Sequence, residues 1–542
     1  MPFLALLLVT LLAACTSPTP TPTPMLTPTP TATPTPAAGP SPSVSPQPAK
    51  GSATLVAPGA PEHLDVHQSA SEMLLSFGPG IAYSRLLRLK SGPEVEPPSL
   101  EVECDLCERW EHPAPTTYLF HLRPGVRWHD APPLNGRELT AQDVVYSLER
   151  LRTPGWPGAT LLQAVASVQA TDTRTVEVTL RYPDADMLLG LAHGQSKIVA
   201  PEAVAQRGDL KSGPTIGTGP WVVEVSGAEG SRYRANPAYF EPGLPGLETL
   251  RITAASDAST RLALVLTGRA DITVLDDNAW TNLLGASGAQ VRRASFPQPG
   301  TGMLLGLKTD RPPFDRREVR QALFLSLDPW KALLTPGWEG RGGVEVGMPL
   351  AAPPWRLAPE EMGRYFNDTP KAIDLLALAQ AQTPVEFTLS LADFGDKYLA
   401  LGDAYAAMMR GAGFSPRLEP LNPRQYAQQV WSGRDFQAFL GPMPPVYSPN
   451  DFLLSMAHSQ GRYAITGYAD LDMDRRILEQ SGADDGREEL VRGVQRRMLE
   501  EAFLFMPASG ASLWVWAERV RGFAPNFAAS DYFHWAKIRV LP

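Results

Sequence analysis

Short runs of alternating apolar and polar residues recur along the chain. TYLFHLR (117–123), TVEVTLRY (175–182), WVVEVSG (221–227), LRITAA (250–255), MLLGLKT (303–309), VEFTLSLA (385–392) and LWVWAE (513–518) have the length and the β-branched or aromatic content of strands. Other stretches place apolar residues every three to four positions. In TAQDVVYSLERL (140–151), Val144, Leu148 and Leu151 share one helical face, and Thr140 with Asp143 has capping-box spacing. In DRREVRQALFLSL (315–327), Val319, Ala322, Leu323 and Leu327 form one stripe, and NDFLLSMAHS (450–459) also predicts a helix. Helices and strands interleaved over about 490 residues predict α/β lobes. One segment breaks the pattern. GPMPPVYSPNDF (441–452) carries Pro442, Pro444, Pro445 and Pro449, each of which fixes φ and removes a donor, so it predicts a stiff loop rather than a central strand.

The N-terminus follows a different logic. MPFLALLLVTLLAAC is apolar, too short to span a bilayer, and ends in small residues as signal peptides do. Leu12-Ala13-Ala14-Cys15 resembles the bacterial lipobox, whose cysteine is lipidated and becomes the first mature residue. The absence of Lys and Arg before the apolar run departs from that pattern, and an ordinary signal peptide with an incidental cysteine is the other reading. Residues 16–52 are a Thr-Pro repeat with almost no apolar content, which cannot form a core. As polyproline II at ~3.1 Å per residue it makes a semi-rigid spacer of roughly 100 Å at most.

The 542 residues are 43% hydrophobic and 19% charged, enough for two or three domains with sizeable cores. Fifty-seven acidic against 48 basic residues give a net charge of −9 with no basic patch, so nucleic acid is excluded as a partner. No G-x-S-x-G, S-x-x-K, H-E-x-x-H, Walker A or complete G-x-G-x-x-G occurs, and no enzyme activity, cofactor or metal is expected. His63 and His67 have i, i+4 spacing, but their segment reads as extended, which removes the helix a shared metal would need. Cys104 and Cys107 form a close pair for which three states stay open. Outside the cytoplasm a disulfide is the simplest; free thiols and a metal or redox role are the others, although only His112 is near enough to help hold zinc.

The segment YLFHLRPGVRWHDAPPLNGRELTAQDVVYSLERL (118–151) resembles the signature of family 5 bacterial extracellular solute-binding proteins, which serve oligopeptide, dipeptide and nickel ABC importers. IGTGPWVVEV with YRANPAYFEPGLPGLETLRI, DASTRLALVLTGRADI, TGMLLGLKTDRPPFDRREVRQALFLSLD, NDTPKAIDLLALA and RVRGFAPN match in the expected order. The resemblance implies an α/β, two-lobed, type II periplasmic-binding-protein-like fold with an extra small domain and a ligand cleft between the lobes. It places the leader at 1–15, the tether at 16–52, lobe I at 53–90 with 213–300 and 507–542, the inserted domain at 91–212, and lobe II at 301–506. It also implies a monomer outside the cytoplasm, held at the membrane by a lipid on Cys15, that closes on a peptide or other small polar solute and docks on ABC permease subunits. Gly217 and Gly219 fall near a crossing between domains in the family, so they read as tight-turn glycines or as a hinge. A receptor, sensor or assembly protein of the same fold without transport is the alternative.

The same resemblance gives the proline-rich loop a meaning. Peptide-binding members read GW..D..DPDNF here, and the aspartate pairs with the peptide's α-ammonium group. Aligning Gly441, Pro449 and Phe452 puts Pro445 in the aspartate's slot and Pro442 in the tryptophan's, with Ser448 replacing a second acid. Asn450 and Asp451 exchange the family's order and read as caps for the next helix. The loop is expected to be a cleft wall without an ammonium anchor, made by Met443, Pro444, Pro445, Val446, Tyr447 and Ser448, with Trp431 as a further aromatic face. Ala508, Ser509, Gly510 and Ala511 replace a tyrosine-rich family strand, either to widen the pocket, with Ser509 as a contact, or to let backbones approach. Free-amine peptides are therefore expected to bind weakly, because a buried, unpaired ammonium is costly. At the other end of the chain, Cys15→Ala is expected to move the protein from the membrane fraction to the soluble one. Fractionation followed by immunoblotting checks this, and unchanged membrane retention refutes it.

Overall fold

The computed structural model describes residues 51–541 except 98, 228, 286–289, 340, 342, 345–347, 349–352, 445, 447, 484 and 527–532. Cys15, nearly all of the tether, Pro445 and Tyr447 thus lie outside the described residues. Strand β1 (Ser52–Ala57) opens the body. An inserted unit follows, with β2 (Leu87–Leu89), β3 (Val102–Cys104), β4 (Cys107–Ala114), β5 (Thr117–Leu122), β6 (Val165–Ala170) and β7 (Thr175–Leu180). The main sheet then gains β8 (Trp221–Gly227), β9 (Gly230–Ala235), β10 (Thr249–Ala254), β11 (Ile272–Leu275), β12 (Val291–Leu307), β13 (Val385–Ala392), β14 (Phe414–Leu421), β15 (Ala438–Pro442) and β16 (Leu504–Ala517).

Ten strands make one mixed sheet in the order β14-β13-β15-β12-β16-β11-β1-β10-β9-β8. It has two halves. In the first, β1 runs parallel to β10 and β11, and β8 and β9 extend the edge antiparallel. In the second, β13 runs parallel to β14 and β15. The antiparallel pair β12 and β16 belongs to both. Its register runs from Val291 opposite Ala517 to Gly306 opposite Leu504, with shifts between Gln298 and Gly302 and between Met303 and Leu305. Strand β11 pairs only with Leu513–Trp516 of β16, and β15 only with Met303–Leu307 of β12, so each end of the pair serves a different half. Gly302 occupies a positive φ (+144°) at the shift, and a Cβ there would come within 2.4 Å of the Ala508 carbonyl oxygen. Only glycine allows the two strands to stay paired through this point.

Each half buries apolar residues on both faces. In the first half Leu55, Trp221, Tyr233, Trp514 and Trp535 form one core, and Val56, Leu262, Val265 and Val515 the other. In the second half, the stripe Val319, Ala322, Leu323 and Leu327 packs with Leu389 and Phe505, while Met473, Ile477, Val491 and Met498 cover the opposite face. The helix Ala141–Leu151 forms with the Thr140–Asp143 capping box, and Val144, Leu148 and Leu151 enter the core of the inserted unit. That core runs from Val66 to Ile216 and takes in Leu74, Leu75, Leu86 and Leu87. It is wider than 91–212, although Phe77 and Ile81 of the same leading chain pack into the first half's core instead. Cys104 and Cys107 are joined as a disulfide. Their turn holds the buried Asp105 carboxylate against the Arg85 N–H at 2.8 Å.

Gly217 and Gly219 are points of close approach. A Cβ on Gly217 would lie 1.9 Å from the Ala82 carbonyl oxygen, and one on Gly219 would lie 2.7 Å from it. His129 clamps the same segment. Its Nδ1 accepts from the Gly217 N–H at 3.3 Å, which leaves Nε2–H to donate to the Gly219 carbonyl at 3.1 Å. The strands shared by the two halves of the sheet are β12 and β16, whereas Gly217 and Gly219 hold a close backbone crossing over Ala82. Burial, aided by the charge of Arg234, lowers His129 to about 4. Burial followed by Arg150 lowers His67 to about 4, and burial followed by Arg85 and Lys197 lowers His193 to about 3. All three are neutral in the folded unit. The unfolded chain takes up their protons near pH 6.5, whereas the folded one refuses them until about 4 or below. Stability is therefore complete above 6.5 and falls as pH drops from 6.5 towards 4, by up to ~4 kcal/mol per pH unit for three independent sites. Urea unfolding at pH 7.5 and pH 5 should show a clearly lower midpoint at pH 5; equal midpoints would contradict the burial of neutral imidazoles.

Candidate functional site

Where β12 and β16 cross between the halves, the sheet is lined on one side by a cavity of about 290 Å³. Its floor is Gln298, Gly302 and Met303 of β12 with Gly510, Ala511 and Leu513 of β16. Pro442 and Met443 close one wall from the end of β15. The other wall comes from Gly337, Trp338, Arg341, Lys397 and Tyr398 of the second half and Asp277 of the first. Small residues at 510 and 511 leave this space open, whereas Ala508 is wholly buried in the core of the second half. Ser509 does neither. Its Oγ accepts from the Gly343 N–H at 2.9 Å, and its N–H donates to the Gly343 carbonyl at 2.8 Å, which ties β16 to the segment carrying Arg341.

The polar chemistry of the cavity sits at that segment. Lys397 Nζ donates to Asp277 Oδ2 at 2.6 Å, an ion pair that bridges the two halves. The same ammonium lies 4.9 Å from the centre of the Trp338 ring and 5.4 Å from that of Tyr398. Trp338 Nε1–H donates to the Lys397 carbonyl at 3.1 Å and fixes the ring's orientation. Arg341 Nη2 is fully occupied, donating to the Gly337 carbonyl at 2.6 Å and lying 2.5 Å from Glu339 and 3.6 Å from Asp277. Its Nε and Nη1 are buried and have no acceptor among the described residues. An unpaired buried donor costs ~1–3 kcal/mol.

The residues expected from the proline-rich loop divide between this cavity and elsewhere. Met443 lines it; Pro444 is half-buried beside it; Val446 is buried in the core with Phe452 and Met456. Trp431 packs edge-on against Phe439 and Tyr463, at 5.8 and 5.9 Å, rather than at the cavity. Ser448, not Asn450 or Asp451, caps the next helix, its Oγ accepting from the Asp451 N–H at 3.1 Å. Asn450 is drawn away by the inserted unit. Its N–H donates to Asp186 at 2.6 Å and its side-chain amide to Asp184 at 2.8 Å, while Arg487 lies 2.6 Å from the Asp186 carboxylate. Asp184, Asp186 and Asn450, with Ser448 and His193, border a second cavity of about 280 Å³ between the inserted unit and the second half. The helix itself runs Pro449–Phe452 and continues as a wider π-type turn through Leu453–Ala457.

An acid does reach the first cavity, although none comes from the loop. Asp277 arrives from the helix after β11, and with Trp338, Arg341, Lys397 and Tyr398 it was invisible to motif reading. Trp338 and Arg341 in GWEGRGG are the only local hint, a large aromatic and a cation set among glycines. Among the described residues, no group of three or more His, Cys, Asp or Glu side chains is placed to hold a metal. No helix among them is long and apolar enough to cross a membrane.

Comparison with known proteins places this geometry. The family model of bacterial extracellular solute-binding proteins, family 5, matches residues 101–464. A probable di/tripeptide-binding protein 5 of Pseudomonas aeruginosa is 26% identical over 516 residues, 89% of this chain and 95% of that protein. The dipeptide-binding protein of Escherichia coli is 28% identical over 52% of this chain and 55% of its own length. Among solved structures, HbpA2 from Haemophilus parasuis superposes with a TM-score of 0.77 at 21% identity, over 91% of this chain and all of that one. The unliganded open form of MppA, a periplasmic murein tripeptide binding protein, gives 0.75 at 18% identity over 91% of this chain and 97% of its own. These likenesses support the two-lobed, type II periplasmic-binding fold.

Ser509→Ala tests the link between β16 and the Arg341 segment. It leaves the Gly343 N–H unpaired at a cost of ~1–3 kcal/mol, so hydrogen exchange at Gly343 should accelerate about ten- to hundred-fold. Unchanged exchange would mean that Ser509 does not hold this segment.

Proposed function

The chain belongs to the family 5 bacterial extracellular solute-binding proteins, and from that premise we propose that it captures a small polar solute, a short peptide first among them, and delivers it to the permease subunits of an ABC importer. The observation that carries the reading is the cavity at the β12–β16 crossing, walled by residues of both lobes and bridged by Asp277 and Lys397. Its volume of about 290 Å³ suits a ligand of a few hundred daltons. An aromatic wall, a few fixed polar groups and a glycine-dependent floor are the ingredients of a specific small-molecule site. The printed names of the relatives, di/tripeptide-binding and dipeptide-binding proteins, point to the same class.

In this reading the family's extracytoplasmic setting is completed by a lipid on Cys15, and the Thr-Pro tether holds a monomeric body clear of the membrane. Residues 53–90, 213–300 and 507–542 act as lobe I and 301–506 as lobe II, closing on the solute about the β12–β16 crossing. Met443, Trp338, Tyr398 and the Arg341–Lys397 pair are the contacts. The protein purified from its own host should carry a solute detectable by native mass spectrometry, and a deletion strain should lose uptake of that solute. Uptake unchanged in the deletion strain would refute delivery to an importer.

A further inference from the structure

We propose that Asp184, Ala185 and Asp186 of the inserted unit form a latch on Asn450, Ser481 and Arg487 of the second half, made when the lobes close and released when they part; this rests on the two-lobed closure proposed above. The inserted unit belongs to the first half by its connections. It leaves the main sheet after β1 and rejoins it at β8, both strands of that half. Val223 and Phe240 pack against the cores of both. Asn526, which follows Phe523 of the first half's core, donates its side-chain amide to the Lys90 and Ser99 carbonyls at 2.9 and 2.8 Å. Among the described residues, the core of the inserted unit shares no member with either core of the second half. Motion of the halves about β12 and β16 therefore carries the inserted unit with the first half, and the place that gives is where the unit meets the second.

That meeting point is polar. Asp186 accepts from the Asn450 N–H at 2.6 Å and pairs with Arg487 Nη1 at 2.6 Å. Asp184 accepts from the Asn450 side-chain amide at 2.8 Å. Between them, the Ala185 N–H donates to the Ser481 carbonyl at 2.9 Å, and the Ala185 carbonyl accepts from Arg487 at 3.2 Å. The receiving groups are braced by their own half. Asn450 Oδ1 accepts from Gln480 at 2.9 Å and from Arg487 at 3.1 Å, and the Arg487 guanidinium lies 5.5 Å from the centre of the Trp355 ring. The receiving surface thus keeps its shape after separation, and water replaces each bond across it. The second cavity brings open space to the edge of the contact at Asp184, Asp186 and Asn450. Polar contacts of this kind between domains are the ones that come apart. While it is made, Arg487 and Asp186 are only 9% and 6% exposed, so removing either charge strands the other and favours the parted form. Such a latch sets the closed fraction before any solute arrives, and with it the apparent affinity for the solute.

Hydrogen exchange read by mass spectrometry and small-angle X-ray scattering test this on the full chain, unfolded and refolded to strip any solute. In the native protein the Ala185 N–H should exchange faster than the amides of β12 and β16, because the latch opens without unfolding. Asp186→Ala leaves the second half's own network untouched. It should accelerate exchange at Ala185 at least ten-fold and raise the radius of gyration, with β12 and β16 unchanged. Asp186→Asn, which keeps the shape and removes the charge, gives the same reading if the alanine variant does not fold. Arg487→Gln should act in the same direction, and Arg487→Lys should restore part of the protection. Three results would each overturn the inference: Ala185 as slow as β12 and β16, which marks a permanent interface; exchange unchanged in the variants; or faster exchange at an unchanged radius, which marks local fraying. Solute capture is judged separately, by mass spectrometry of protein purified from its host. An empty protein with a working latch would refute capture alone.

Discussion

The pairing of β12 with β16 is the constraint on which the rest of the molecule hangs. Backbone hydrogen bonds between two long antiparallel strands carry the chain from one lobe to the other and back, so neither lobe can be assembled from a contiguous stretch. The strands shift register where they pass between the halves, and Gly302 permits the shift because a Cβ there would meet the Ala508 carbonyl. Gly510 and Ala511, just beyond it, line the cavity with little bulk.

Charge then decides what the space is for. A bridge such as Asp277–Lys397, about a third exposed on both sides, contributes little to stability by itself. Its importance is positional. It fixes an acid from one half of the sheet against a cation from the other.

Local signals in the sequence were faithful where structure is local. The Thr140–Asp143 capping box spans three residues and forms as its spacing predicts. The strands at 303–309 and 513–518 are real, but each is only part of a longer one, because SFPQPGTG and MPASGAS carry prolines, glycines and small residues that suppress a strand signal. Pairing with each other, not propensity, makes those segments extended. The assignment of Asn450 and Asp451 as caps failed for a related reason: Asp184 and Asp186, more than 260 residues earlier, take Asn450 as their partner, and Ser448 assumes the cap. The cavity's charged residues, Asp277, Arg341 and Lys397, come from three separate segments with no shared motif, so no reading of neighbours along the chain could assemble them.

Strand β16 lies in the middle of the sheet, between β12 and β11, yet it begins at Leu504 of a 542-residue chain. A chain emerging from its N-terminus therefore presents β11 and β12 with an empty slot between them until the last forty or so residues arrive. Neither lobe can reach its final sheet before then.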